Sequence, residues 1–311
     1  MKYKYLYTFM LFSLLGNFTR AQNSNQRIPE LNGHKFLSTS QMKSAFISTN
    51  LQTDIGYGST SLIKIPGFDY NGVNLFSFQG KIFYVDFKLQ YQQQFTDWLG
   101  LFMSIKLSSR IGSDLSTIIA DGVNTVSGGD IGWIIKIKET DKFTLSTTFK
   151  ANNITGNFID VTKYLEDLID GEPYPSVSKK IPATSVGLGV RGAYAFSNIY
   201  GLQFNFDAMH GESLQRGTTD TYYSFGILGD VDLNEKYNTP IALALGYSIS
   251  STPEISMNNR GFSNIYLGKI AYSGSDDYEL GLQFSTYKVN LKSVESNTRI
   301  SKAMLGIKFY F

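Results

Sequence analysis

The chain contains no cysteine in its 311 residues. That single absence excludes a cysteine-linked lipid anchor, a disulfide scaffold and a mixed nitrogen/sulfur metal centre. Histidine is almost missing too, with only His34 and His210 available for acid–base or metal chemistry. Neither Gly-x-Ser-x-Gly nor His-Glu-x-x-His occurs, and the hydroxyl and carboxylate neighbours of His210, Asp207, Glu212 and Ser213, follow no catalytic spacing. Past the N-terminal region no apolar run approaches the roughly 20 residues of a spanning helix, so any membrane crossing falls to strands.

Charge of one sign is also lacking. The formal net charge is +2, but Lys2, Lys4 and Arg20 sit in a leader-like N-terminus, and without them 25 basic residues face 26 acidic ones. This balance removes the electrostatic basis for binding nucleic acid. What the chain has instead is aromatics at 14%, 29 glycines and only 7 prolines, a composition that suits strands, interfacial girdles and tight turns.

The first 21 residues have the form of a secretory signal peptide: Lys2 and Lys4, a mostly apolar run from Tyr5 to Phe18, and Thr19-Arg20-Ala21 before Gln22. Residues 22–43 are polar and aperiodic, and are expected to be a periplasmic leader or a short plug. Residues 44–311 alternate. Ile47, Thr49, Leu51, Thr53, Ile55 and Tyr57 form one face of a first segment, and Phe83, Val85, Phe87, Leu89 and Tyr91 form one face of a second. Leu99, Leu101, Met103, Ile105 and Leu107 oppose Ser104, Lys106, Ser108 and Arg110 in a third. Nine further segments follow. The one from Phe262 to Tyr272 reads as bulged, because Ile265 and Leu267 fall out of phase with Ile270 and Tyr272. The last ends Lys308-Phe309-Tyr310-Phe311.

Short connections around Asp97, Thr140, Asn198, Asn238 and Ser275 alternate with generally longer ones around Pro66, Val123, Asp170, Gly217, Pro253 and Val294. The expected fold is therefore all-β: a transmembrane up-and-down antiparallel β-barrel of about twelve strands. Fourteen is the alternative, if the apolar connection 58–80 pairs with 113–127. Within the fifth-to-sixth connection, Phe158, Val161, Tyr164, Leu165 and Leu168 predict a short amphipathic helix ended by Gly171 and Pro173.

On the signal, the alternating segments and the terminal aromatic strand, the chain resembles the bacterial outer-membrane β-barrel superfamily. The resemblance implies the outer membrane of a Gram-negative bacterium, contact with outer-membrane lipid, both barrel termini in the periplasm, and insertion by the barrel-assembly machinery, with Phe309 and Phe311 as the assembly signal. A slighter likeness to long-chain fatty-acid transporter barrels implies a plug in 22–43, although this chain is shorter and has no N-terminal Asn-Pro-Ala element.

Strand parity assigns Lys88, Lys106, Arg110, Lys136, Lys150 and Arg191 to a basic wall of the lumen, facing the acids Asp54, Asp86, Asp130 and Asp207, with Asp230 further along. No cofactor or metal is expected. The functional expectation is a non-enzymatic small pore or uptake component for small, anionic solutes. Its alternatives are a structural or interaction barrel in a secretion or adhesion complex with an unknown protein partner, and an outer-membrane lipid-modifying enzyme.

Overall fold

The computed structural model describes residues 28–65, 69–70, 73–74, 78–111, 122–214, 218–251, 262–289 and 298–311. The expected signal peptide lies outside them, as do the side chains of 63–79, on which the apolar character of the first long connection depended.

A hairpin comes first: β1 (Glu30–Leu31) and β2 (His34–Lys35) meet through Asn32 and Gly33, both at positive φ, which is the geometry Asn-Gly supplies to a two-residue turn. β3 (Asn50–Thr60) opens the barrel. The connection after it carries two small ladders, β4 (Ile63–Ile65) with β7 (Phe78–Gly80) and β5 (Asp69–Tyr70) with β6 (Val73–Asn74).

The remaining strands are β8 (Phe83–Thr96), β9 (Leu99–Ile111), β10 (Gly122–Glu139), β11 (Phe143–Ile159), β12 (Ser178–Ala195), β13 (Tyr200–Glu212), β14 (Thr219–Asp232), β15 (Ile241–Ser250), β16 (Ser263–Tyr272), β17 (Tyr278–Val289) and β18 (Thr298–Tyr310). With β3 they close a ring of twelve, each strand antiparallel to its neighbours. β18 returns to β3 in the register Leu305↔Ile55 and Phe309↔Leu51, so the sheet closes on itself. The fourteen-strand alternative does not occur. The ladders β4–β7 and β5–β6 stand outside the ring, and of 113–127 the described part, from Gly122, opens β10.

Outward positions are apolar and exposed all the way round, as at Ile55, Ile105, Ile131, Leu188, Leu245 and Leu305. In water this would be untenable; in a bilayer it is the lipid-facing band of a transmembrane barrel. Inward positions carry the charges. Length does not alternate as strictly as expected, since the connection 213–218 is shorter than 233–240 at the opposite end. That longer connection contains α2 (Asn234–Tyr237).

The expected amphipathic helix is α1 (Val161–Ile169). Asp160 caps it by accepting from the Lys163 N–H at 2.9 Å, and Gly171 at φ +72° follows its end. It joins β11 to β12, which project beyond the rim because β12 pairs with β13 only from Ser185 onward.

Two sequence expectations change. Ile47 is not on the lipid face. The strand starts only at Asn50, and Ile47 is buried with Phe102 and Ile134 inside the barrel. The segment at Phe262–Tyr272 has no bulge: β16 pairs with β15 and β17 without a register shift, and Ile265 and Leu267 are inward residues whose parity agrees with the rest of their strand.

Candidate functional site

The site is the lumen, and the N-terminal segment occupies it. Residues 30–49 enter at the end that carries the short connections, rise to mid-height around Ser40 to Lys43, and return to begin β3. The partners trace this path. Asp230 and Glu279 lie beside short connections, Lys88, Asp130 and Gln283 lie further up their strands, and Gln92 and Ser146 lie low again.

Irregular backbone inside a barrel must find hydrogen-bond partners or be strongly destabilised. Here wall side chains supply them. Asp230 binds His34 Nε2 at 2.8 Å through one oxygen, while its other oxygen accepts from the Leu37 N–H at 3.2 Å and from Gln203 Nε2 at 2.8 Å. Gln203 also donates to the Leu37 carbonyl at 2.9 Å. Glu279 accepts from the Ser38 N–H and hydroxyl at 3.2 and 3.0 Å, and Lys269 bridges Glu279 to the Ser38 carbonyl. Gln283 accepts from the Ser40 N–H at 3.0 Å and donates to its hydroxyl at 2.8 Å, while Lys88 donates to the Ser40 carbonyl. Ser146 and Gln92 donate to the carbonyls of Ala45 and Phe46 at 2.6 and 2.9 Å. Lys43 is ion-paired with Asp130, which also accepts from the Ser104 hydroxyl at 2.8 Å.

Shape matches chemistry. Where the segment is bulky the wall is small: Leu37 and Met42 pack with Ala242, Ala244, Ala271, Leu228 and Leu267. Leu31, Phe36, Ala45 and Phe46 pack against Ala193 and Ala195. Gly201 lies beside the His34–Asp230 pair, and a Cβ there would collide with both His34 Nε2 and Asp230 Oδ1. The remaining space at the level of Lys43 is a cavity of about 40 Å³, room for little more than a water molecule.

The expected lumen residues can now be placed. Arg191 is 1% exposed and shares Asp207 with Lys150, at 3.6 and 3.1 Å respectively. Lys88 serves the segment's backbone. Arg110 and Asp54 are buried, and Asp54 accepts from Gln52 at 2.9 Å. Lys106 lies on the inner face, opposite Gly128 and Lys88. Asp86 is paired with Lys302 at 2.9 Å. Lys136 lies near the short-connection rim, bound to Glu139 at 2.5 Å.

Lys269, Lys302 and Lys308, all buried or nearly so, extend the cations to the opposite wall, so the basic residues do not crowd one side. Strand parity read for β16 and β18 would have found them. The alanines and glycines at inward positions were a further signal, since a lumen lined by small residues is one that something fills. Phe309 and Phe311 are exposed at the rim, with the Phe311 N–H bound to the Thr49 carbonyl at 3.0 Å.

The two histidines lie apart, His34 on Asp230 inside the lumen and His210 near the end of β13. His210 is exposed and bonded to the Thr221 hydroxyl at 3.0 Å, Glu212 accepts from the Thr184 N–H, and Asp207 is held by cations. Among the described residues no three His, Cys, Asp or Glu side chains gather to hold a metal ion.

No protein-family model and no curated sequence matches the chain. Solved barrels are similar in shape. The KdgM porin in complex with disordered oligogalacturonate is 9% identical, with 83% of this chain and 99% of that one covered and a TM-score of 0.42. A Pseudomonas aeruginosa FadL homologue is 11% identical over 85% and 91%, at 0.44. The translocator domain of the autotransporter NalP from Neisseria meningitidis is 8% identical over 85% and 88%, at 0.47. At this identity the likeness is one of fold.

Proposed function

We propose that this protein is a gated, non-enzymatic uptake barrel of the Gram-negative outer membrane, closed by its own N-terminal segment and opened to small, anionic solutes when that segment shifts. One observation carries the proposal. The segment is tied to the wall through side chains such as Asp230, Glu279, Gln283 and Lys88, while every barrel strand keeps its two strand neighbours. It can therefore leave without unpairing any strand, and water can replace its hydrogen bonds at modest net cost, about 0.5–1.5 kcal/mol each. A barrel braced permanently would be better served by a dry apolar core, whereas a displaceable closure needs exchangeable polar ties. In this arrangement the short connections and both barrel termini face the periplasm, and the barrel-assembly machinery inserts the chain.

The test is conductance in planar bilayers for the wild type and for a variant lacking residues 28–46. The wild type is expected to open rarely, and the deletion variant to conduct steadily. Should the deletion variant fail to fold, Ser40→Cys with Gln283→Cys serves instead. The native chain has no other thiol, so openings should vanish on oxidation and return on reduction. A folded deletion variant without conductance, or a cross-linked one that opens as freely as the wild type, overturns the proposal and favours an interaction barrel.

A further inference from the structure

The cavity beside Lys43 is polar and one-sided in charge. Three of its lining residues, Lys43, Arg191 and Lys308, are cationic, and no carboxylate lines it. The acids paired with these cations stand behind them rather than in the cavity: Lys43 is paired with Asp130, and Arg191 shares Asp207 with Lys150.

Two further details concern residues that line the same space. The Nε of Arg191 is buried without a hydrogen-bond partner. Lys308 is buried in the wall, and among the described residues it has no hydrogen-bond acceptor; its ammonium lies 5.0 Å from the Tyr310 ring. A guanidinium N–H buried without an acceptor is destabilising. Gln90 lines the same space and brings a further amide donor. Lys43 and Arg191 both contact the Phe102 ring, at 4.2 and 5.6 Å from its centre.

We infer that this cavity is a binding site for one small monovalent anion of halide size, held between the N-terminal segment and the wall by Arg191, Lys308 and Lys43. At about 40 Å³ the space excludes a sugar acid or a nucleotide while the segment is seated. The anion accepts from the donors that line the cavity and stabilises the seated segment, since a ligand that binds one state alone shifts the equilibrium toward it. The purpose of the site rests on the uptake reading; its existence does not.

The probe is bromide. Crystals of the full chain grown in sodium bromide should show an anomalous peak in the cavity, next to Arg191 and Lys308. In detergent at constant ionic strength, replacing sodium gluconate with sodium bromide should raise the unfolding temperature saturably in the wild type, and the rise should be lost in Lys308→Met. An empty cavity in the bromide crystals overturns the inference. So does a peak without solution stabilisation, which would mean binding at crystal concentration only, or a wild-type rise retained in Lys308→Met. If Lys308→Met does not fold, Lys308→Gln replaces it. Bromide in the cavity of a chain whose deletion variant stays silent sinks the uptake reading alone, and a conducting deletion variant from a chain with an empty cavity sinks the anion site alone.

Discussion

His34 and Asp230 lie 196 residues apart in sequence and 2.8 Å apart in space, with both side chains fully buried. One comes from the hairpin ahead of the barrel and the other from β14, so the pair ties the N-terminal segment to the wall. His34→Ala leaves the Asp230 oxygen without its ring partner, a loss of about 1–3 kcal/mol for a buried polar group. Gly201→Ala should reach the same end by sterics, since its Cβ meets both members of the pair. Hydrogen exchange should rise at Leu37 and Ser38 in both variants, while the strand amides stay protected. Unchanged exchange at those two residues would mean that the pair does not hold the segment.

The apolar side of the segment should be separable from the barrel. Leu267 packs with Leu37 and Met42, and truncating a buried leucine typically costs about 2–5 kcal/mol. Because the loss falls on the contact between segment and wall, Leu267→Ala should increase conductance and protease access at residues 36–46. Its migration on a gel before and after boiling should still differ, as for an intact barrel. Loss of that difference would place Leu267 in barrel stability instead.

Why the barrel was legible and its contents were not follows from these same residues. Period-two alternation reports which residues share a face, and Phe83 to Tyr91 or Leu99 to Leu107 could be placed from it directly. It does not report what the inner face touches. Ile265 and Leu267 looked out of phase because the lumen was expected to be polar, whereas both are buried inward residues and Leu267 packs with Leu37 and Met42 of the segment. Ile47 looked lipid-facing because its parity continues that of Leu51 and Ile55, although the chain is still inside the lumen there. His34 stood in an aperiodic stretch, and its partner lay almost two hundred residues away, a pairing that no local pattern encodes.

The terminal strand offers a test of assembly. Phe309 and Phe311 project outward at the rim, Phe309 pairs with Leu51 across the β18–β3 seam, and the Phe311 N–H binds the Thr49 carbonyl. Removing Phe309 to Phe311 therefore strips both the aromatic girdle and the last bonds that close the ring. Export should continue while the amount of folded barrel in the outer membrane falls several-fold. Wild-type levels of assembled protein would count against a role for the closing aromatics.

The charge of the upper lumen sets ion selectivity once the segment is displaced. Arg110 is buried on the inner face of β9, and Lys106 shares that face two pleat repeats lower. On the lipid face such charges would each cost roughly 2–4 kcal/mol at mid-bilayer, so their inward placement is energetically enforced. Cations lining a narrow path raise the local anion concentration, an effect that salt screens. The reversal potential of the variant lacking residues 28–46, measured under a salt gradient, should report anion preference. Lys106→Glu with Arg110→Glu in that background should move it toward cations, with a larger shift at low ionic strength. An unchanged potential in a barrel that conducts would show that permeating ions do not pass these two residues.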